Sequence, residues 1–281
     1  MKYRLIGIDV DGTLLGADHE LPRDVAEAVR RARRAGMLVV LATGRTYAET
    51  APIWRKLEFA PPLEPLVLVG GALVCEPDTG RTLYQKAIPL DLAGRLGEAF
   101  AEAGYAAMAA VDPWRHGWDY LLCQTGDVHA ARRDWLSKIG AKVRRVERFD
   151  QAADLPDPLR VTVVVDPDKA AALAARIKTQ FDGQLNVHAI FAPNYGVMMV
   201  EAFAAGCDKL SALRYVAQAH LIGMAEVAVI GDDVNDLTMI RGAGLGAAMP
   251  WAPADLLSAA DYVAAGGLVE FLDRLVAGAF D

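Results

Sequence analysis

Four short apolar runs constrain this chain more than any other feature, because each stops abruptly at a polar or glycine-rich cluster. Leu5-Ile6-Gly7-Ile8 ends at Asp9, Met37 to Ala42 at Thr43-Gly44-Arg45, Leu66 to Val69 at Gly70-Gly71, and Val227 to Ile230 at Gly231-Asp232. Runs without polar alternation suit strands buried on both faces of a parallel sheet. After the first of them, Pro22 opens a segment in which Val25, Ala28, Val29 and Ala32 recur at helical spacing, with Gly36 as its stop. Strand, helix, strand in this style predicts an α/β fold with a doubly wound, Rossmann-like parallel sheet.

The style changes between about Leu83 and Ala192. Candidate helices (Leu90 to Ala103, Val128 to Ile139, Pro167 to Phe181) alternate there with candidate strands (Tyr120 to Cys123, Lys142 to Val146, Val161 to Val165). Beyond them Val197 to Val200 reads as a strand and Asp208 to His220 as a helix, before the buried run at Val227. The expectation is a core of residues 1–82 and 193–281 interrupted by a smaller α+β domain, 83–192. A chain of 281 residues fits this, since domains average about 150 residues.

Acidic residues outnumber basic ones by 36 to 29, a net charge of −7 that repels phosphate backbones and anionic lipid surfaces. Nucleic acid and membrane are therefore excluded as expected partners, and a monomer or homodimer is expected. Cys75, Cys123 and Cys207 have no paired spacing, which supports neither a disulfide framework nor a zinc ribbon and fits reduced thiols in a cytoplasm. Only four apolar residues separate Arg4 from Asp9, too few for a signal-peptide core. The longest apolar stretch, Ala99 to Val111, carries Glu102 and is far short of the roughly 20 residues that span a bilayer.

Open α/β sheets bind ligands outside the carboxyl ends of their strands, which is where Asp9, Asp11, Thr43 and Asp232 fall. In Asp9-Val10-Asp11-Gly12-Thr13 an extended backbone aims both carboxylates the same way while Gly12 permits a sharp turn. Two acids so close call for a cation or a shared proton; an Asx-type turn is the alternative for this segment alone. Asp9, Asp11 and Glu20 match positions 1, 3 and 12 of an EF-hand, but Leu14 occupies the obligatory glycine position, which rejects that loop. Gly231-Asp232-Asp233-Val234-Asn235-Asp236 packs three acids into five residues, more than capping a helix needs. A hard divalent cation, Mg²⁺ foremost, would stabilise this cluster together with Asp9 and Asp11. Lys209 supplies positive charge at a helix start, where the macrodipole disfavours it; a solvated lysine beside Asp208 and a phosphate-binding ammonium are its two readings.

Together these segments resemble the haloacid dehalogenase-like phosphatase superfamily, within it the Cof-type subfamily, whose C2-type cap lies between the second and third motifs. The likeness spans the chain: Asp9 to Thr13 resembles motif one, Thr43-Gly44-Arg45 motif two, Lys209 motif three and Gly231 to Asp236 motif four. The resemblance implies that Asp9 is the nucleophile, Asp11 the general acid and base, and Thr43 and Lys209 the holders of the phosphoryl group. It further implies phosphate contacts from Gly12, Gly44, Arg45 and Asn235. Mg²⁺ would be bound by Asp9, Asp232, Asp236 and the Asp11 carbonyl. Gly70-Gly71 departs from the family's Asn-Gly, and Leu210 from a frequent glycine after the lysine.

The chemistry is coherent without the family. A carboxylate attacking a phosphate ester is an anion meeting an anion, so a cation and Lys209 must offset the repulsion. An aspartyl phosphate splits hydrolysis into two steps that Asp11 can serve in turn. In the insertion, Trp114, Arg115, His116, Trp118 and Tyr120 could stack on a sugar or hold a second anion, although aromatic packing in a strand is the preferred reading. The expected function is a Mg²⁺-dependent phosphatase of small phosphorylated metabolites, sugar phosphates above all. A phosphotransferase or phosphomutase, a non-catalytic phosphometabolite sensor, and a phospho-aspartate switch are the alternatives.

Overall fold

The computed structural model describes residues 2–16, 18–151, 154–192 and 195–281. The chain divides into two compact units, one formed by Met1–Leu83 and Asp208–Asp281, the other by Tyr84–Cys207.

The first unit is built on a five-stranded sheet in the order Tyr262–Val263, Leu245–Ala248, Val227–Gly231, Leu5–Ile8, Leu38–Leu41. All its pairings are parallel. The strands at its centre are buried throughout, as continuous apolar runs require. Register decides what meets at the carboxyl edge. Ile8 pairs with Ile230 on one side and Leu41 on the other, so the residues that follow, Asp9, Gly231 and Ala42, emerge abreast. Leu5–Ile8 is also where the strand order reverses, the point at which such sheets leave a crevice for ligands. Helix Arg23–Arg34 covers the sheet with Ala26, Ala28, Val29 and Ala32, and its charged face stays in water. Burying a side chain such as Val29 contributes roughly 1.5–3 kcal/mol.

The third apolar run forms a strand over Leu66–Leu68, which joins Leu73–Cys75 antiparallel through a turn with positive φ at Val69, Gly70 and Gly71. Gly71, the glycine that this chain shares with the family's Asn-Gly, has a steric reason; the departure at Gly70 is a separate matter. A Cβ there would stand 2.0 Å from the carbonyl oxygen of Asp208, so only glycine lets the chain entering Lys209 pass so close.

The second unit carries a six-stranded sheet in the order Leu185–Ala192, Val197–Ala204, Arg160–Val165, Met108–Ala110, Tyr120–Cys123, Val143–Val146. Its pairings are antiparallel except the last. Helices Leu90–Glu102, Ala130–Ile139 and Pro167–Gln180 accompany it. One boundary differs from the expectation of residue 192. Val197–Ala204, read with the core, pairs with Leu185–Ala192 and Arg160–Val165, which moves the return to the first unit to Asp208. An apolar run such as Val-Met-Met-Val identifies a buried strand but not its sheet, and here the hairpin neighbour decides. The three cysteines are buried. Among the described residues, no helix is long and apolar enough to cross a membrane.

Candidate active site

Every residue of the four motifs lies in the first unit. Asp9 leaves its strand with its N–H donating to the carbonyl of Ile230, and the chain then folds into a tight loop closed by Leu14 N–H to Asp9 and Leu15 N–H to Val10. Gly12 has φ +74°, and a Cβ on it would sit 2.0 Å from Asp232 Oδ2. The loop can therefore lie against Asp232 only with glycine at this position. Thr13 Oγ1 donates to Asp232 Oδ1 at 3.1 Å, which ties the first motif to the fourth.

Lys209 is almost wholly buried, and its Nζ donates to Asp9 Oδ1 at 2.5 Å and to Asp236 Oδ1 at 2.6 Å. The helix it begins is capped independently, since Asp208 Oδ1 accepts the Ser211 N–H at 2.8 Å. The unfavourable helix position thus delivers the ammonium to the site rather than to solvent. Asp236 uses its other oxygen to accept the N–H groups of Asp232 and Asp233 at 3.0 and 3.1 Å, fixing the turn in which Asp232 stands. One carboxylate oxygen each of Asp9, Asp232 and Asp236 lies within 4.8 Å of the others.

The electrostatics follow from three carboxylates facing one ammonium in a water-poor site. Burial pushes the Asp9 carboxyl well above its ordinary value; Lys209 opposes this, and Asp236 and Asp232 add to it. Asp232 is pushed up to about 6, by burial first and by Asp236 next. Burial works against the charge on Lys209, but Asp236 and Asp9 overcome it and raise the amine above its usual value. An all-oxygen donor set with surplus negative charge that raises its own proton affinity fits a hard divalent cation.

Asp11 is turned elsewhere. Its carboxylate takes a two-pronged bond from Arg45, Nε to Oδ2 at 2.8 Å and Nη2 to Oδ1 at 2.5 Å. Burial would raise its pKa, yet the Arg45 bonds outweigh that and lower it. Of the expected metal set, Asp11 thus leaves only its backbone carbonyl for a cation, and Arg45 is bonded to Asp11 rather than waiting free. Thr43 is fully buried; its backbone is pinned by Val67 and Gly70, and its Oγ1 accepts the Arg45 N–H at 3.1 Å. A Cβ placed on Gly44 would meet nothing within 4 Å, so space adjoins the backbone there. Asn235 is half-buried in the turn before Asp236, and among the described residues its amide makes no hydrogen bond.

Sequence reasoning missed two partners: Arg45 for Asp11, and Trp251, whose indole N–H donates to the Gly12 carbonyl at 3.2 Å. No local pattern announces either. In the second unit, Trp114, Arg115 and His116 lie on the short helix Pro113–His116, not in a strand, and Trp114 is 54% exposed. Here a signal did exist. Asp112 caps the N–H groups of Trp114 and Arg115, and Pro113 takes the first helical position. Tyr120 alone of the group packs as a strand residue, edge-on to Trp135.

The description haloacid dehalogenase-like hydrolase matches residues 6–266. The chain belongs to that family. Its similarities run to phosphatases of the Cof type: 25% identity over 279 residues to Phosphatase YwpJ of Bacillus subtilis, covering 92% of this chain and 94% of that one. It shares 24% with the 5-amino-6-(5-phospho-D-ribitylamino)uracil phosphatase YitU of the same organism, covering 88% and 87%. With the HMP-PP phosphatase of Cronobacter sakazakii it shares 25%, covering 91% and 87%. Among solved structures, a haloacid dehalogenase-like hydrolase from Bacteroides thetaiotaomicron superposes with a TM-score of 0.76 at 24% identity, over 97% of this chain and 99% of that one. An HAD subclass IIB sugar phosphatase gives 0.75 at 20%, over 97% and 98%. The chain is accordingly an enzyme, a phosphoric monoester hydrolase, and hydrolases of this family generally use a divalent metal ion.

Proposed function

We propose that the chain is a Mg²⁺-dependent phosphatase of small phosphorylated metabolites, sugar phosphates foremost, working through an aspartyl phosphate on Asp9. The observation that carries this is the buried Lys209 ammonium held between Asp9 and Asp236 beside Asp232, a site too negative to be at rest without a cation. Asp9, Asp232, Asp236 and the Asp11 carbonyl would hold Mg²⁺, which when bound neutralises charge on the phosphoryl oxygens. Lys209, Thr43 and the space beside Gly44 receive the phosphate, and Gly12 and Asn235 lie in the two loops that flank it.

In the first step a carboxylate oxygen of Asp9 bonds to phosphorus and the ester P–O bond breaks. The alkoxide leaves with the electron pair and takes a proton from Asp11. In the second step water attacks phosphorus and gives its proton to Asp11, and the P–O bond to Asp9 breaks to leave phosphate and a free carboxylate. Asp11 needs a proton to begin, yet Arg45 holds it ionised. An arriving phosphate dianion competes for that guanidinium, and loosening the pair lets the Asp11 pKa rise. The inserted unit, Tyr84–Cys207, is assigned the selection of the alcohol portion. The sugar phosphatase among the similar structures and the phosphatases of small metabolites among the relatives support this substrate class.

The test is release of inorganic phosphate from a panel of sugar and other metabolite phosphates, with Mg²⁺ and with a chelator. Phosphate release that depends on Mg²⁺ is expected. Turnover that survives chelation, or none from any member, overturns the reading.

A further inference from the structure

Trp251 is 62% exposed, and single exposed aromatics are ordinary on protein surfaces. Its anchoring is not. The indole N–H donates to the carbonyl of Gly12, the residue between Asp11 and Thr13 in the loop that carries the nucleophile. Its backbone is fastened to the other side of the site: Met249 N–H donates to Gly231, the residue before Asp232, and Ala252 N–H closes a turn onto Met249. Pro250 and Pro253 flank it and restrict that turn further. One edge of the indole is therefore pinned to the catalytic edge of the sheet, while the side chain as a whole stays largely in water.

We propose that Trp251 is a specificity-determining residue of the first unit, whose indole face receives a flat ring in the alcohol portion of the substrate. This rests on the phosphatase reading above. Because the ring is anchored before substrate arrives, stacking costs little side-chain entropy. An indole face accepts either a heteroaromatic ring or the C–H face of a pyranose, and both share the chemistry of a flat, weakly hydrated surface. An acyclic phosphomonoester offers no such face.

The experiment compares kcat/KM for 4-nitrophenyl phosphate, glucose 6-phosphate and glycerol 3-phosphate in the full chain with Mg²⁺, and reads the ratio of each ring substrate to the acyclic one. Trp251→Ala should lower at least one ratio roughly tenfold, mainly through KM, the scale of one lost aromatic stack. The substrate that moves tells whether the ring is aromatic or a sugar. Trp251→Phe, which keeps a face and loses the N–H, should hold that ratio within about threefold of wild type. If the alanine variant does not fold, Trp251→Leu, with bulk but no flat face, is read in its place and should lower the ratio likewise. Unchanged ratios in the alanine or leucine variant overturn the proposal. So does an equal loss in the phenylalanine variant, which would show the tether and not the face at work. A wild-type protein that hydrolyses the panel with unchanged ratios in the variants fails this proposal alone; one that hydrolyses nothing fails the phosphatase reading and this proposal with it.

Discussion

Both units bury charge, but they balance it differently. In the second unit Arg160 and Glu201, each almost fully buried, form an ion pair at 2.8 Å, and the buried Arg132 donates to the Ala106 carbonyl at 2.6 Å. In the first unit one buried ammonium faces the carboxylates of Asp9, Asp236 and Asp232. A matched pair holds a sheet together; an unmatched cluster stores demand for a ligand. Buried charge alone therefore does not mark a site, whereas several carboxylates converging on one buried ammonium do.

The sharpest way to break this contrast is to alter the surplus. Asp9→Asn removes the nucleophile along with one negative charge, so turnover should fall by roughly 10⁴-fold or more. At the same time thermal stability in the absence of metal should hold or rise, because a carboxylate that burial disfavours is gone. Steady-state phosphate release and a melting curve on one preparation check both halves. Loss of folding would class Asp9 with the structural charges of the second unit. Next in size, Arg45→Ala should cost about 10²-fold in kcat/KM through a poorly held Asp11. Since Arg45 lowers the Asp11 pKa, the limb of the pH profile that reports Asp11 should move upward in the variant. A limb that stays in place would separate Asp11 from that titration.

How much of this was legible in the sequence depends on the range of the interaction. Asp9, Thr43 and Asp232 could be read because each follows an apolar run directly, and strand ends share an edge. Lys209 could be read as out of place on its helix, but not as the partner of Asp9, two hundred residues away in the chain. The Arg45 bond to Asp11 depends on the register of Leu5–Ile8 with Leu38–Leu41, which no local pattern contains. For the same reason Val197–Ala204 was legible as a strand and not as a member of its sheet. The helix at Pro113 was legible from Asp112 and Pro113, and aromatic content concealed it.

The matched side of the comparison has its own test. Glu201→Gln removes the carboxylate that meets Arg160 at 2.8 Å and should destabilise the protein by about 3 kcal/mol, the usual cost of removing one partner of a buried pair. Below the melting transition, kcat should stay within about twofold of wild type, since the pair is assigned no chemistry. Replacing both residues with apolar side chains of similar volume, Arg160→Met with Glu201→Leu, should recover most of the loss. Denaturant unfolding with activity measured alongside distinguishes the outcomes. A collapse of kcat in the folded single variant would move this pair from structure to function.

The smallest effect concerns what fills the surplus. In the metal-free protein the Asp232 carboxyl is raised from its ordinary 3.8 to about 6, and Asp9 is raised as well. Groups whose folded pKa exceeds the unfolded one contribute stability that is complete below the unfolded value and lost as pH climbs through the folded value. Asp11 runs the other way: its folded pKa is lowered, so its contribution is complete above 3.8 and constant over the range that matters here. Stability of the metal-free protein should therefore decline between about pH 4 and the region just above pH 6, as carboxylates ionise into a site with one ammonium. A divalent cation replaces the departing protons, and it binds the ionised form alone. The gain in melting temperature from saturating Mg²⁺ should thus be several degrees larger at pH 7.5 than at pH 5, as scanning calorimetry in the two buffers would show. Equal gains at both pH values would mean that Mg²⁺ does not compete with protons for Asp9 and Asp232, and the unmatched charge of the first unit would need another counterpart.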